Sequence, residues 1–254
     1  MTPPSLWHHP AFLKLWLAQT LSFFGSQITL LAIPLTAVLV LDASASEMGG
    51  LRASATLPAL LVGLFVGVWV DRIRRRPLLI GADLGRALLL GTIPAVVAAD
   101  RLTVPLLYVV AFLIGLLTTV FDVAHTSYLP ALIPREQIVE GNSKLEVSRA
   151  ASLVAGPGVA GALVQLVTAP IAILVDAASY LASALLLGLI RTSEPPKSAP
   201  EGDRGLRKAI GEGLEIVSRN RNLRSMAASL AVFNLFFGVI NAIYVLYLVR
   251  NLSR

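Results

Sequence analysis

Apolar residues fall into long runs along the chain. The runs cover roughly 12–40, 48–70, 77–99, 103–128, 145–167, 170–190 and 223–249. A hydrocarbon core about 30 Å thick is crossed by around 20 apolar helical residues. Each run reaches that length, so the pattern predicts seven spanning helices and an all-α membrane protein. The first run is long and contains Pro34. A kink is expected there, with neighbouring helices re-satisfying the carbonyl that proline frees.

The polar connections differ in kind. The one after the second run carries Arg72, Arg74, Arg75 and Arg76, and the one after the fourth carries Arg135 and Lys144. The stretch after the sixth carries eight basic residues from Arg191 to Arg224. The alternate connections are poor in Lys and Arg, with Arg101 and Arg52 as exceptions. Basic loops stay on the cytoplasmic side. This places the N-terminus inside and predicts a multi-pass protein of the cell membrane. Thr192 to Asp203 is polar and Pro-rich, as a linker is. Beyond it, Leu206, Ile210, Leu214 and Val217 recur at helical spacing between charges. That amphipathic helix either lies on the inner membrane surface or packs on the inner ends of the bundle. The expected organisation is a six-helix bundle over 1–190, a cytoplasmic linker over 191–222, and a seventh helix over 223–254.

Composition agrees with the pattern. Hydrophobic residues make up 56% and charged residues 14%, against about 45–50% and about 25% in soluble domains. Net charge is +6, but the basic residues sit in short blocks between apolar runs. Nucleic acid is therefore not an expected partner; the lipid bilayer is. With no cysteine, thiolate chemistry is excluded.

Two motifs carry mechanism. Gly67-Val-Trp-Val-Asp71-Arg72-Ile-Arg74-Arg75-Arg76 lies where the second run passes into the third. It resembles the loop 2–3 signature of the major facilitator superfamily, G-x-x-x-D-R-x-G-R-R, with Arg74 in place of a glycine. A small residue at 67 permits close helix approach. A carboxylate at a membrane boundary is costly unless it is paired or caps a helix. The resemblance implies that Asp71, with Arg72, Arg75 and Arg76, latches one conformation by reaching a helix end in a second bundle. In the fifth run, Gly156-Pro157-Gly158-Val159-Ala160-Gly161 is similar to the antiporter motif G-P-x-x-G-G of superfamily exporters. Gly156, Pro157 and Gly161 match, and Ala160 and Ser152 stand where glycines are usual. Phe121-Asp122, Tyr128 to Gln137, Gly141 to Ser143, Asp176 to Leu181, Glu212 to Leu214 and Asn220 to Arg224 resemble the siderophore-exporter and macrolide-efflux-like branch. That superfamily usually has twelve spans in two six-helix halves. The resemblance therefore implies an N-terminal half plus the first helix of a truncated second bundle, with the C-terminal half as a missing partner.

Polar residues inside the runs each need a reason, because a charge at the bilayer centre costs about 2.5–3.5 kcal/mol on insertion scales. Asp83 and Arg86 are spaced to pair on one helix face. Asp122 and Asp176 are candidates for carrying a proton, or alternatively bundle hydrogen-bond groups. Gln19, Ser22 and Gln27 form a polar stripe on the first run, with Gln19 and Gln27 as cavity candidates. His8, His9 and His125 make no spaced metal site. Neither a phosphate-binding G-x-x-x-x-G-K-[ST] loop nor a nucleophile–base arrangement is present, so no cofactor and no enzyme activity is expected. The function implied by the resemblance is secondary export of small amphipathic molecules in exchange for protons. The alternative is a non-transporting membrane protein or a half-transporter. The orientation has a direct check: a reporter active only in the cytoplasm should give signal when fused after Pro195 and none after Thr168, and the reverse pattern would refute it.

Overall fold

A computed structural model describes residues 5–70, 73–191, 211, 215 and 218–252, with side chains left out at 64, 65, 67, 68, 241–246 and 248–252. Seven long helices account for most of it: α1 (Pro10–Leu41), α2 (Ala45–Val70), α3 (Arg75–Ala98), α4 (Val104–Leu132), α5 (Ile138–Val167), α6 (Ala169–Gly188) and α7 (Arg221–Leu252). Six are long and apolar enough to cross a membrane, α7 through Ile240; α2 is a helix of 26 residues. No strand occurs among the described residues; helices satisfy their backbone groups within one segment, as a chain immersed in lipid requires. Of the amphipathic segment expected around Leu206 to Val217 only Gly211 and Glu215 are described, both helical, and Asp71 and Arg72 lie outside the described residues.

Local chemistry sets the helix ends. The His9 ring accepts from the Phe12 amide at 3.2 Å, with Pro10 in the first turn of α1. Ser44 and Glu47 form a reciprocal capping box at α2: the Glu47 carboxylate accepts from the Ser44 amide at 2.7 Å, and the Ser44 hydroxyl accepts from the Glu47 amide at 3.4 Å. Two boundaries differ from the hydropathy reading. Helix α4 continues past 128 to Leu132, because Pro130 falls in its last turn. Helix α5 begins at Ile138 rather than near 145, because its first two turns are charged and amphipathic, with a Lys144–Glu140 pair at 3.3 Å. Hydropathy locates the membrane-embedded length, not the aqueous turns that extend it.

Specific contacts fix directions. Lys14–Leu189 and Ser26–Tyr180 run α1 antiparallel to α6, and Arg76–Leu187 and Asp83–Ser183 run α3 antiparallel to α6. Close approaches of Tyr108 to Gly50 and of Ala55 to Gly115 set α2 parallel to α4. Gly141 against Phe12 and Gly156 against Gln27 set α1 parallel to α5. The principal packing pairs are α1 with α6 and α5, α2 with α4, and α3 with α4 and α6. Exchanging α1–α3 for α4–α6 maps this set of pairs onto itself, the pattern of an inverted repeat. Helix α7 rests on α2 and touches α1, and leaves Met226, Leu230, Phe233 and Phe236 exposed.

The buried interior has two apolar layers. One, near the N-terminal end of α1, joins Leu6, Phe12, Leu15, Val70, Leu79, Tyr128, Leu145 and Leu187. The other, near the far end, joins Ile28, Ala37, Leu51, Leu90, Leu107, Ile173 and Tyr180. Between them on α1, α3, α5 and α6 lie Gln19, Ser22, Asp83, Arg86, Ser148, Ser152 and Ser183, all buried. Gly25 lets α1 close onto this belt, since a Cβ there would collide with the Asp176 carboxylate and the Ser179 hydroxyl. Gly25→Val is expected to destabilise the bundle by about 1–3 kcal/mol, the usual cost of overpacking. Gly158→Ala, whose Cβ meets open space, should be neutral. Thermal unfolding in detergent checks this, and equal behaviour of the two variants would refute it.

Candidate functional site

Helix α1 barely touches α2 and α4, and the space between them is a cavity of about 430 Å³. Its wall is mostly apolar, with Leu30, Ile33, Met48, Leu51 and Ile114 prominent. Polar groups enter from four helices: Ser26 and Thr29 on α1, Arg52 and Thr56 on α2, Thr118, Thr119 and Asp122 on α4, and Asp176 and Tyr180 on α6. Pro34 also lines it. Having no N–H, it leaves the carbonyl of Leu30 without its in-helix donor. The cavity can therefore hold a molecule with a large apolar body and a few polar groups.

Behind the wall stands a buried ion pair. Arg86 contacts the Asp83 Oδ1, and both side chains are almost fully buried. The Ser183 hydroxyl donates to Asp83 Oδ2 at 2.6 Å. The guanidinium lies between two rings, 4.4 Å from the centroid of Phe121 and 4.1 Å from that of Tyr180, a cation–π arrangement stronger for being desolvated. The Tyr180 hydroxyl then shares a hydrogen bond of 2.9 Å with Ser26 at the cavity wall. One chain of contacts thus runs from α3 through α6 to α1.

The two candidate proton carriers sit differently. Asp176 is buried on α6; Ser179 donates to its Oδ1 at 2.9 Å, and the Thr29 hydroxyl faces the same carboxylate without the alignment of a full hydrogen bond. Asp122 is open to the cavity, within electrostatic reach of Arg86 and of Arg149 on α5. His125 is one turn away and stacks on Phe121 with centroids 6.2 Å apart. Gln19 is buried in the belt with its Nε2 unpartnered, and Gln27 packs against Gly156; neither is among the residues lining the cavity.

The motif residues have definite places where they are described. Gly67 falls in the last turn of α2. Arg74, in the position usually held by glycine, has φ −63° and ψ 128°. That is ordinary extended backbone, so a side chain costs nothing there. Arg75 opens α3. Arg76 donates to the Leu187 carbonyl at 2.9 Å and also to the Gly188 carbonyl, while Lys14 donates to Leu189 at 2.9 Å. These cations add donors to the carbonyls at the end of α6 and complement its dipole. In α5, Ser152, Gly156 and Ala160 make one buried small-residue face, whereas Pro157 is exposed and Gly161 meets open space.

Sequence reasoning did not find Arg52, Ser26, Thr29 or Tyr180 as cavity residues. Arg52 had left a trace, as a basic residue on the side otherwise poor in them. Among the described residues no group of three or more metal-ligating side chains occurs.

A family model described as Major Facilitator Superfamily matches residues 15–253. The uncharacterized MFS-type transporter YfiS of Bacillus subtilis is 26% identical over 257 residues, covering 100% of this chain and 60% of that protein. Macrolide efflux protein A of Streptococcus pyogenes is 23% identical over 233 residues, 92% of this chain and 57% of that protein. An uncharacterized MFS-type transporter of Mycobacterium tuberculosis is 32% identical over 149 residues, 58% of this chain and 34% of that protein. The chain thus spans well under two thirds of the length of these curated relatives. No solved structure matches it significantly.

Removing one partner of a buried ion pair strands the other charge, at a cost of about 3–5 kcal/mol. Arg86→Gln is therefore expected to lower the midpoint of thermal unfolding sharply, and Asp83→Asn combined with Arg86→Gln to recover much of the loss. A double variant no more stable than Arg86→Gln alone would show that the pair is not the source.

Proposed function

This chain belongs to the Major Facilitator Superfamily, and from that premise we propose that it supplies the N-terminal bundle of a proton-coupled exporter of small amphipathic molecules. It is a multi-pass membrane protein and not an enzyme. The observation that carries the reading is the cavity between α1, α2, α4 and α6, apolar over most of its wall and furnished with two carboxylates. The name of the streptococcal relative, a macrolide efflux protein, favours outward movement of a bulky amphipathic cargo.

Proton coupling is supported by a charge imbalance. Three carboxylates, Asp83, Asp122 and Asp176, share the field of Arg86, the one buried guanidinium among the described residues, and Asp122 also lies in the field of Arg149. A low-dielectric site holds such a set most cheaply when a carboxyl group is neutral. Asp122, open to the cavity, is the group best placed to exchange a proton as cargo enters. The Lys/Arg asymmetry supports an inward N-terminus in the cell membrane. With that orientation the motif from Gly67 to Arg76 lies on the cytoplasmic side, where Asp71 is proposed to latch against a second bundle while Arg76 holds the end of α6.

Alternating access in this class rocks two bundles about a site between them. Cells producing the chain together with a second bundle should retain less of a macrolide than control cells, and dissipating the proton gradient should abolish the difference. Asp122→Asn, inserted at normal levels, should export poorly; undiminished export by that variant would remove Asp122 from the coupling role. Residues 1–254 alone in liposomes should show no gradient-dependent uptake, and uptake by them would favour a homodimer of half-transporters.

A further inference from the structure

Arg52 is the one cation among the described residues that line the cavity, and no ion pair takes up its charge. It sits two turns into α2, and around it the wall is formed by Met48, Leu51 and Ala55 of α2 and by Ile33 and Pro34 of α1. Its Nε is buried with no hydrogen-bond partner. None of the ion pairs among the described residues includes it. The nearest acidic residue along its own helix, Glu47, is committed to the capping box with Ser44. The Nε of Arg86 is likewise unpartnered, but the charge of Arg86 is held by a carboxylate and two rings, and that of Arg52 is not.

A guanidinium inside an apolar wall is expensive, and its planar fork suits carboxylate, sulfonate or phosphate oxygens. The contact of Gly115 with Ala55 sets the register of the parallel helices α2 and α4. Arg52 therefore lies about ten residues of helix, roughly 15 Å along the axis, from Asp122. Asp176 and Thr29 fall between these levels on the opposite wall. The cavity is thus polarised along its length, with a cation toward one end, carboxylates toward the other, and an apolar surface between.

We propose that Arg52 binds the anionic group of a zwitterionic amphipathic cargo, whose basic end points toward Asp176 and Asp122. This rests on the cargo-binding reading of the cavity given above, and it narrows the cargo from amphipathic molecules in general to those carrying an acid as well as a base. The same anion chemistry is available from a lipid headgroup reaching in from the bilayer, so the test separates the two sources.

The chain is placed in phosphatidylcholine nanodiscs, and binding of rhodamine B, which carries a free carboxylate, is compared by fluorescence anisotropy with binding of its ethyl ester, which does not. The expected result is a preference of about tenfold for the acid, the size of one well-formed charged contact. Arg52→Gln should erase the preference, so that acid and ester bind alike, and Arg52→Lys should keep part of it. Equal binding of acid and ester by the unaltered chain would overturn the proposal while leaving the cavity reading standing. So would a preference that survives Arg52→Gln, or loss of both dyes in that variant. Failure of the unaltered chain to bind either dye would overturn the cavity reading with it. Repeating the comparison in dodecyl maltoside micelles, which carry no phosphate, decides the source. A preference of the same size keeps the site for cargo, and one that grows severalfold once phosphate is absent assigns Arg52 to a lipid phosphate and overturns the cargo assignment.

Discussion

A guanidinium in the middle of a membrane bundle must be neutralised where it stands, and the placement of Arg86 constrains much else. Its partner Asp83 is one turn away on α3, but the pair alone would leave lone pairs and a charged plane facing hydrocarbon. Ser183 of α6 takes up the second carboxylate oxygen, and Phe121 of α4 and Tyr180 of α6 cover the two faces of the guanidinium. Three helices are therefore committed to one position and one rotation each. Apolar contacts between lipid-immersed helices specify little, because lipid tails compete equally well. A buried pair with three specific partners discriminates strongly between registers.

Small residues do complementary work. Gly25, Gly115 and Gly156 each stand where a Cβ would collide with a facing helix. They bring α1 onto α6, α4 onto α2 and α5 onto α1. The bundle is thereby drawn tight along two parallel crossings, α1 with α5 and α2 with α4, which exchange under the internal repeat. The seam between α1 and the α2–α4 pair has no comparable close approach, and it is there that the cavity lies. Polar residues that would be prohibitive against lipid are tolerable on that seam, since they face a void that water or cargo can fill.

Helix count, order and most boundaries were legible in the sequence because hydropathy over twenty residues is a strong signal. The Asp83–Arg86 pair was legible from spacing alone. The aqueous first turns of α5 were not, since a charged amphipathic turn resembles a loop once apolar runs are the criterion. The cavity was legible only in part. Asp122 and Asp176 stood out as charges within spans, but Ser26, Thr29 and Tyr180 are unremarkable in a helix, and only tertiary packing brings them to one wall. Gln19 and Gln27 show the converse. Polarity marked them, yet rotation on α1 sends the first into the buried belt and the second against Gly156. A polar stripe identifies a protein-facing side of a helix, and it does not distinguish the cavity from a helix contact.

Helix α6 links the parts that the sequence presented separately. At one end its carbonyls are held by Arg76 from the motif loop and by Lys14 from α1. At mid-length Ser183 and Tyr180 engage the Asp83–Arg86 pair, and one turn further Asp176 reaches the cavity. A helix is stiff over such a length, so a displacement of its clamped end shifts the cavity wall with it, provided the intervening contacts hold. Those contacts are charge-assisted and buried, the kind that repack in discrete steps rather than yield gradually. A change of charge at Asp176 would act on the same guanidinium that fixes the helix. The loop motif and the cavity carboxylates, far apart in sequence, therefore bear on a single rigid element, and that shared element rather than proximity gives a physical route between them.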